Sequence, residues 1–248
     1  MSIESFYAHY DLLYSQKNYA AETNIVLEIL RNRSEWPVRR ILDIGCGTGR
    51  HAAQFVGRDV AVHGLDIEPA AIAIARRCVT DPRVTFVCGT TADTTQTDFD
   101  GAISLFNVVN YILDVDNLDA VLSGVREKLR GGAPFVFDCW NGLAALNDPP
   151  RLKRSEISSE GNSATVILRP SPIGPEKRIR MEMDVSVLLS TGEKSHFTCM
   201  YEHRLWTPFE LSDALIRNGF GKILISRWMS GETARDTDWK IMFSCIRD

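Results

Sequence analysis

The segment at residues 43–49 has the residue types and the spacing of a ligand-binding turn. An acid, Asp43, stands before three glycines at alternate positions, Gly45, Gly47 and Gly49. Glycines adopt backbone angles that other residues avoid, and they let a ligand lie close to the chain. An apolar run precedes the segment and a helical pattern follows it, so free N–H groups at a helix N-terminus would face the ligand. The pattern therefore predicts a ligand-binding turn at the end of a strand.

The residues around the glycines narrow the class of ligand. A phosphate-binding loop needs Gly-Lys-Ser/Thr, and this segment has no such lysine. A dinucleotide-binding turn needs its third glycine one residue later, where Arg50 stands. Asp43 would repel a pyrophosphate, whereas its carboxylate would bind an ammonium group directly or through water. Asp66 follows at the distance, roughly twenty residues, at which an acid commonly accepts the hydroxyls of a ribose.

Short apolar runs alternate with helical patterns along the first 140 residues. Strands are predicted over 41–44, 60–65, 84–87, 99–106 and 133–138. Helices are predicted over 19–33, 50–56, 70–77 and 118–129. Strands that alternate with helices predict a parallel sheet with helices on both faces.

The pattern changes after residue 140. Extended segments from 164 to 205 include a hairpin at 190–193, which predicts antiparallel strands. Thr207 and Glu210 form a capping-box pattern for a helix over 208–218, and strands are predicted at 221–228 and 239–246. We therefore predict a Rossmann-like, doubly wound α/β fold with a mostly parallel seven-stranded sheet. Residues 1–140 and 206–248 would form the ligand-binding domain, with a helical lid at 1–34 and an antiparallel insertion at 141–205 after the fifth strand.

Composition restricts the partners and the compartment. The 248 residues carry a net charge of −4, whereas a general binder of nucleic acid or of membrane surfaces usually has a basic excess. The N-terminus lacks a signal-peptide pattern and no apolar run is long enough to cross a bilayer, so we expect a cytoplasmic protein. The six cysteines form no Cys-x-x-Cys pair and the five histidines do not fall at zinc-ligand spacing, so no metal site is expected.

The residues quoted above resemble a known family. The string ILDIGCGTG at 41–49, followed by Gly-Leu-Asp at 64–66, resembles the first two motifs of the class I S-adenosylmethionine-dependent methyltransferases. The resemblance implies S-adenosylmethionine as methyl donor and S-adenosylhomocysteine as product. It places the glycine turn, with Cys46, beside the methionine part of the donor. It also places Asp66 on the ribose and Ile67 against the adenine.

The resemblance departs from the family pattern at the adenine. Many members have an acid after the glycine that follows the third strand, and this acid bonds the adenine amino group. Here Gly89 is followed by Thr90, with Asp93 three residues further on. Thr90 is the candidate at this position, and Asp93 would take its place after a loop shift.

A narrower resemblance concerns the methyl acceptor. Residues 10–14 and 17–22 resemble the N-terminal lid of N-methyltransferases that act on nucleotide-linked amino sugars, and residues 105–111 match the segment after the fourth strand of that group. The resemblance implies transfer to nitrogen or oxygen of a small molecule, such as an amino sugar or a sugar nucleotide.

Aromatic side chains are the candidates for contact with the reacting methyl group. Methyl transfer from a sulfonium is an in-line displacement, so the alignment of nucleophile, methyl group and sulfur does most of the work. Aromatic faces hold a sulfonium without competing as nucleophiles. Tyr14 and Tyr19 in the lid are candidates, as is Phe106, and we count Tyr14 among the catalytic residues as well.

The acceptor must present an uncharged amine or a hydroxyl that loses its proton. His196 and His203 have side chains of suitable acidity. They are seven residues apart, so in one unbroken strand they face opposite sides, and at most one lines the pocket. We select His203 as the catalytic candidate. Two alternatives remain: a structural histidine, and an amine that loses its proton to water.

The candidates fall into two groups by the ligand that they would contact. The predicted donor-binding residues are Tyr14, Tyr19, Asp43, Gly45, Cys46, Gly47, Gly49, Asp66, Ile67, Gly89, Thr90 and Phe106. Four residues just past strand ends are predicted to contact the acceptor: Asn107, Asn110, Tyr111 and Trp140.

Two other hypotheses remain open. One is a donor-binding scaffold or sensor without turnover, because intact donor motifs do not prove catalysis. The other is a methyltransferase that acts on a protein or a nucleic acid, which the acidic charge and the absence of an Asn-Pro-Pro-Tyr-type motif disfavour. The insertion is expected to cover the pocket, to form a homodimer interface, or to do both.

Overall fold

The computed structural model describes residues 3–174 and 177–248. Of the predicted lid, residues 1–2 lie outside this range, as do residues 175–176 of the predicted insertion. Three helices open the chain: α1 (Ile3–Ala8), α2 (Tyr10–Leu13) and α3 (Tyr19–Arg33). α3 spans the predicted residues because Asn18 caps it, its side chain accepting a hydrogen bond from Ala21 N at 3.0 Å. No helix within the described residues is long and apolar enough to cross a membrane.

The first half of the chain alternates strands with helices as predicted. Its elements are β1 (Arg40–Ile44), α4 (Arg50–Val56), β2 (Ala61–Asp66), α5 (Pro69–Cys78), β3 (Val84–Cys88), β4 (Gly101–Ser104), α6 (Val115–Lys128) and β5 (Pro134–Trp140). The buried strands are apolar over most of their length, as expected of a sheet covered on both faces.

The insertion follows β5. It contains α7 (Gly142–Asn147), β6 (Lys153–Ser159), β7 (Asn162–Ile173), β8 (Arg178–Leu188) and β9 (Lys194–Arg204). These strands form a separate antiparallel sheet in the order β6-β7-β8-β9. One face of this sheet is apolar and packs against the lid through Phe6 and Leu13.

The chain then returns to the main sheet through α8 (Pro208–Arg217), β10 (Phe220–Arg227) and β11 (Lys240–Arg247). The main sheet has seven strands in the order β10-β11-β5-β4-β1-β2-β3. β11 is antiparallel to both of its neighbours, and the other pairs are parallel. The predicted fold class is therefore confirmed, including the antiparallel sheet after the fifth strand.

Two parts of the structure differ from the sequence-based prediction. The fourth strand, predicted over 99–106, is confined to Gly101–Ser104, and the backbone then turns into the left-handed region at Phe106 and Asn107. Within the insertion, the helix α7 and the strand β6 precede the extended segments, which were predicted only from residue 164 onward. β6 escaped prediction because it is an edge strand with few apolar residues.

Candidate active site

The glycine turn follows β1 and is tied to β2 by backbone hydrogen bonds. The N–H groups of Gly45 and Cys46 both donate to Leu65 O, at 2.7 and 3.0 Å. A Cβ atom built on Gly45 would stand 2.5 Å from a methyl group of Val108, so this glycine is required by packing. Gly49 is required by packing as well, because a Cβ atom at this position would lie 2.8 Å from the ring of Phe86.

Gly47 differs from the other two glycines. It has a φ of +54°, and no atom of the described residues lies within 4 Å of the position that a Cβ atom would take. Its N–H group donates to Oδ2 of Asp66 at 2.8 Å. Gly47 is therefore the glycine whose missing side chain leaves open space beside Asp66.

Asp43 is a buried carboxylate beside the turn. It is 3% exposed, and the described part of the chain offers its Oδ2 no hydrogen-bond partner. Burial, and then the nearby charge of Asp66, raise its pKa to about 7. A buried carboxylate without a donor is costly unless a cation reaches it, so this atom fits the ammonium group of a ligand.

The expected ribose and adenine contacts adjoin the turn. Asp66 also accepts a hydrogen bond at Oδ1 from Glu68 N at 2.9 Å, and burial raises its pKa. The neighbouring side chain of Ile67 is 75% exposed, so it offers apolar surface that a flat ring could cover. Thr90 donates to Oδ2 of Asp93 at 3.0 Å, so the two alternatives for the adenine amino group lie together. A Cβ atom on Gly89 would collide with Asp93.

Replacing Asp66 with alanine is expected to weaken binding of S-adenosylmethionine by about 1–3 kcal/mol, because hydrogen bonds of this kind contribute that much when a buried partner is lost. Isothermal titration would measure the change. Asp81→Ala is the matched control, since Asp81 also accepts from the N–H group two residues later, Arg83 N at 2.9 Å. Unchanged donor affinity in Asp66→Ala would contradict the ribose role.

The lid brings aromatic rings to the turn from the opposite side. The ring of Tyr14 meets that of Phe106 edge-on at 4.9 Å, and Tyr10 lies 4.6 Å from Tyr14. Burial raises the pKa of Tyr14 far above its ordinary value, so its phenol stays protonated and neutral. Tyr14 is therefore suited to packing and hydrogen bonding, and not to accepting a proton.

A charged cluster adjoins these rings, and it was not predicted from the sequence. Lys17 stands 4.5 Å above the centre of the Phe106 ring and forms an ion pair with Glu22. Glu22 also contacts Nε2 of His51 at 2.9 Å, and His51 in turn packs 4.9 Å from the Tyr19 ring. Lys17 also lies 5.1 Å from the centre of the Tyr19 ring, so Tyr19 adjoins the same cluster as Phe106.

Tyr7 is a second lid residue that sequence reasoning missed. Burial raises its pKa, and so do the charges of Asp66 and Glu68, because α1 packs on α5 beside the turn. Its position beside Asp66 makes it a candidate contact for the donor. The N-terminal aromatic spacing, with Phe6, Tyr7, Tyr10 and Tyr14, is the signal that could have found it.

His203 lies among three aromatic rings, which we call the aromatic cluster: Tyr111, Trp140 and Tyr201. The centres of these rings lie 4.5, 4.8 and 5.1 Å from that of the imidazole. His203 is 3% exposed, and neither ring nitrogen has a hydrogen-bond partner within the described residues. Burial lowers its pKa to about 4, so the imidazole is neutral at pH 7.

The other histidine of β9 faces away from this cluster. His196 is exposed, and its Nε2 lies 2.9 Å from Asp184 on the outer face of the insertion sheet. The prediction that the two histidines face opposite sides is confirmed.

The four predicted acceptor contacts differ in their surroundings in the structure. Tyr111 is half-exposed beside His203, and Trp140 lies between His203 and Trp239. Asn107 is partly buried, and its Oδ1 has no partner in the described part of the chain.

Asn110 occupies a different position from the one expected. It is fully buried, its amide donates to Arg204 O at 2.9 Å, and its carbonyl oxygen accepts from Trp140 N at 2.8 Å. The expectation of a substrate contact needs correction here, because both polar groups of this side chain already bridge three segments of the protein.

Comparison with known proteins assigns a family to the segment that contains the glycine turn. Residues 41–132 match the family described as methyltransferase domain. A Streptomyces venezuelae protein, dTDP-3-amino-3,4,6-trideoxy-alpha-D-glucopyranose N,N-dimethyltransferase, is 29% identical over 194 residues, which are 72% of this chain and 81% of the relative. The chain is an S-adenosylmethionine-dependent methyltransferase.

Solved structures show the same fold. The crystal structure of Streptomyces venezuelae DesVI has a TM-score of 0.82 at 22% identity and covers 96% of this chain and 97% of its own. The S-adenosylmethionine-bound structure of CalS10, an amino pentose methyltransferase from Micromonospora echinaspora, has a TM-score of 0.76 at 23% identity. The match covers 100% of this chain and 98% of the CalS10 chain. The chain thus resembles the amino-sugar N-methyltransferase group over nearly its whole length.

Proposed function

We propose that this enzyme methylates an amine of a small molecule, an amino sugar or sugar nucleotide, bound against the aromatic cluster. The observation that carries the proposal is His203, a buried neutral imidazole with two unpartnered nitrogens in the described structure. The names of the relatives, which act on nucleotide-linked amino sugars, support this class of acceptor.

The donor side is assigned to the glycine turn. S-adenosylmethionine supplies a methyl group on a sulfonium. We assign its ammonium group to Asp43, its ribose to Asp66 and its adenine to the surface of Ile67. Gly47 leaves the room that the donor needs, and the rings of Tyr14 and Phe106 form the aromatic wall toward the acceptor. The other predicted donor-binding residues remain part of the proposed donor site, without an assigned contact to the donor: Tyr19, Gly45, Cys46, Gly49, Gly89 and Thr90.

His203 is assigned to orientation of the acceptor. Attack on a methyl group requires the lone pair of an uncharged amine, and an N–H group of such an amine can donate to the imidazole. A histidine whose pKa is about 4 is too weak a base to hold the proton of an ammonium ion at pH 7. The amine therefore loses that proton to water. Tyr111 and Trp140 line the acceptor side with aromatic surface, which suits a reaction that removes charge from sulfur.

Replacing His203 with phenylalanine should lower kcat/KM for the acceptor by about 10- to 100-fold, because an aromatic ring stays in place while the hydrogen-bond acceptor is lost. Donor affinity should change by less than about twofold. His196→Phe on the outer face is the matched control and should keep full activity. Equal activity of the two variants would contradict the orienting role.

A methyl-transfer assay with paired acceptors tests the function itself. S-adenosylhomocysteine formation would be followed with amino sugars, their nucleotide-linked forms, and matched sugars in which a hydroxyl replaces the amine. Turnover with the amines alone supports the proposal, and turnover with the hydroxyl compounds alone reassigns the enzyme to O-methylation. Tight donor binding without turnover would favour the scaffold or sensor. Transfer to protein or nucleic acid would favour a methyltransferase that acts on those macromolecules.

The insertion, residues 141–205, is proposed to cover the acceptor. β9 contributes Tyr201 and His203 to the aromatic cluster, which is the contact that supports this division of the chain. We further propose a cytoplasmic enzyme without a nucleic-acid or membrane partner, supported by six free cysteines and the net charge. Light scattering would test whether the insertion also forms a homodimer.

A further inference from the structure

Two consecutive residues after β4 hold an unfavourable backbone conformation. Phe106 has a φ of 76° and Asn107 a φ of 61°, and neither is a glycine. Residues other than glycine rarely adopt this left-handed backbone region. They keep such a conformation where contacts with the surrounding structure hold it in place. The bend lies at the carboxyl edge of the sheet, next to the glycine turn.

Asp138 supplies the contacts that hold the bend. Its carboxylate is fully buried and accepts hydrogen bonds from Phe106 N at 2.5 Å and from Asn107 N at 3.2 Å. Lys240 adds a third contact, with Nζ 2.9 Å from Oδ2 of Asp138. Because β5 pairs with β11, these two side chains come from adjacent strands of the rigid sheet.

The bend places groups on both sides of the reaction. It directs the ring of Phe106 against Tyr14 and beneath Lys17. The 3₁₀ turn Val108–Tyr111 begins directly afterwards, and it carries Tyr111 to His203. A shift of the bend would therefore move the donor-side aromatic wall and the acceptor-side ring together.

We propose that Asp138 and Lys240 are positioning residues for methyl transfer, which act by fixing the bend at Phe106 and Asn107. Neither residue was among the candidates from the sequence, and neither is required to touch the donor or the acceptor. The inference rests on the proposed function only where turnover is the readout.

The test compares Asp138→Asn with Asp100→Asn, a closely matched variant at the opposite edge of the same sheet. Asp100 is also buried, accepts from two consecutive N–H groups, Arg39 N and Arg40 N at 2.8 Å each, and pairs with Arg130 at 2.7 Å. Both variants should lose thermal stability. Only Asp138→Asn should lower kcat by about 100-fold, the effect expected of a small misplacement of reacting groups, with donor affinity kept within about threefold.

Amide hydrogen exchange provides a readout that needs no acceptor. The N–H groups of Phe106 and Asn107 should exchange faster in Asp138→Asn and unchanged in Asp100→Asn. A wild-type protein without turnover would contradict the proposed acceptor, and the exchange comparison would then decide the role of Asp138 alone. The inference would be overturned if the N–H groups of Phe106 and Asn107 exchanged at the same rate in the two variants. A kcat loss in Asp138→Asn no larger than that in Asp100→Asn would also overturn it.

Two further variants keep the test decisive if Asp138→Asn does not fold. Lys240→Met removes the cation while keeping the length of the side chain, and Lys240→Arg should restore most of the turnover that Lys240→Met loses. Asn107→Gly removes the backbone penalty at the bend, so the stability lost through Lys240→Met should be smaller in the Asn107→Gly background. The role of Asp138 and Lys240 would be overturned if the stability losses of Lys240→Met and Asn107→Gly were additive and Lys240→Arg restored no turnover.

Discussion

Replacing Gly47 with valine is expected to abolish donor binding while the protein still folds. The Cβ position of Gly47 faces open space beside Asp66, so the added methyl groups would fill the volume assigned to the donor. We expect the dissociation constant for S-adenosylmethionine to rise by at least about 100-fold, which corresponds to about 2.8 kcal/mol. Isothermal titration measures the affinity, and circular dichroism confirms that the variant is folded.

Gly192→Val is the matched control for this experiment. Gly192 also has a positive φ, +87°, and also faces open space within the described structure, but it lies in the hairpin between β8 and β9. Both valines carry a left-handed backbone penalty of about 1–2 kcal/mol, so the two variants should lose similar stability. Gly45→Val would be a poor test, because its side chain would collide with Val108. A folded Gly47→Val protein with normal donor affinity would contradict the assignment.

The sequence predicted those elements whose determinants are local. α3 matched because Asn18 caps a periodic apolar segment, and β1 with its turn matched because an apolar run ends at glycines. The fourth strand was predicted too long because Leu105 and Phe106 continue the apolar pattern. The carboxylate that bends the chain at Phe106 belongs to Asp138, more than thirty residues later, and a local pattern contains no information about that contact.

The candidate site shows the same division between local and distant determinants. The odd spacing of His196 and His203 showed that only one could face the pocket, but the packing of the insertion sheet decided which one. Asn110 was placed correctly beyond a strand end, yet partners distant in sequence use its amide. The cluster of Glu22 with His51 was missed because these residues are 29 positions apart and only the folded lid joins them.

The buried carboxylate of Asp43 gives donor binding an expected dependence on pH. Its pKa in the ligand-free protein is raised to about 7 by burial and by Asp66, and a bound ammonium group would lower it. Binding should therefore release a proton below pH 7, and affinity should rise by roughly fivefold from pH 6 to pH 7.5. Above about pH 8 affinity should fall again, because an α-amino group loses its own proton there. Titrations in buffers of different ionisation enthalpy would count the released proton.

Asp43→Asn is expected to separate stability from binding. Because the folded-state pKa of Asp43 lies above its unfolded value, wild-type stability should fall as pH rises from about 4 to about 7 and then level off. An asparagine carries no buried charge, so the variant should lack this loss and be more stable than wild type at pH 8, by up to about 4 kcal/mol. Its donor affinity should nevertheless drop by at least about tenfold, since the ammonium group loses its counter-charge.

Asp100→Asn is the control for this last experiment as well, because the carboxylate of Asp100 already has two N–H donors and an arginine. That variant should lose stability and keep both the donor affinity and its pH dependence. A gain of stability with a loss of binding in Asp43→Asn alone would identify Asp43 as a charge that the fold tolerates for the sake of its ligand. Normal affinity with the wild-type pH dependence in Asp43→Asn would exclude the ammonium contact and move the recognition of the donor to Asp66 and the glycine turn.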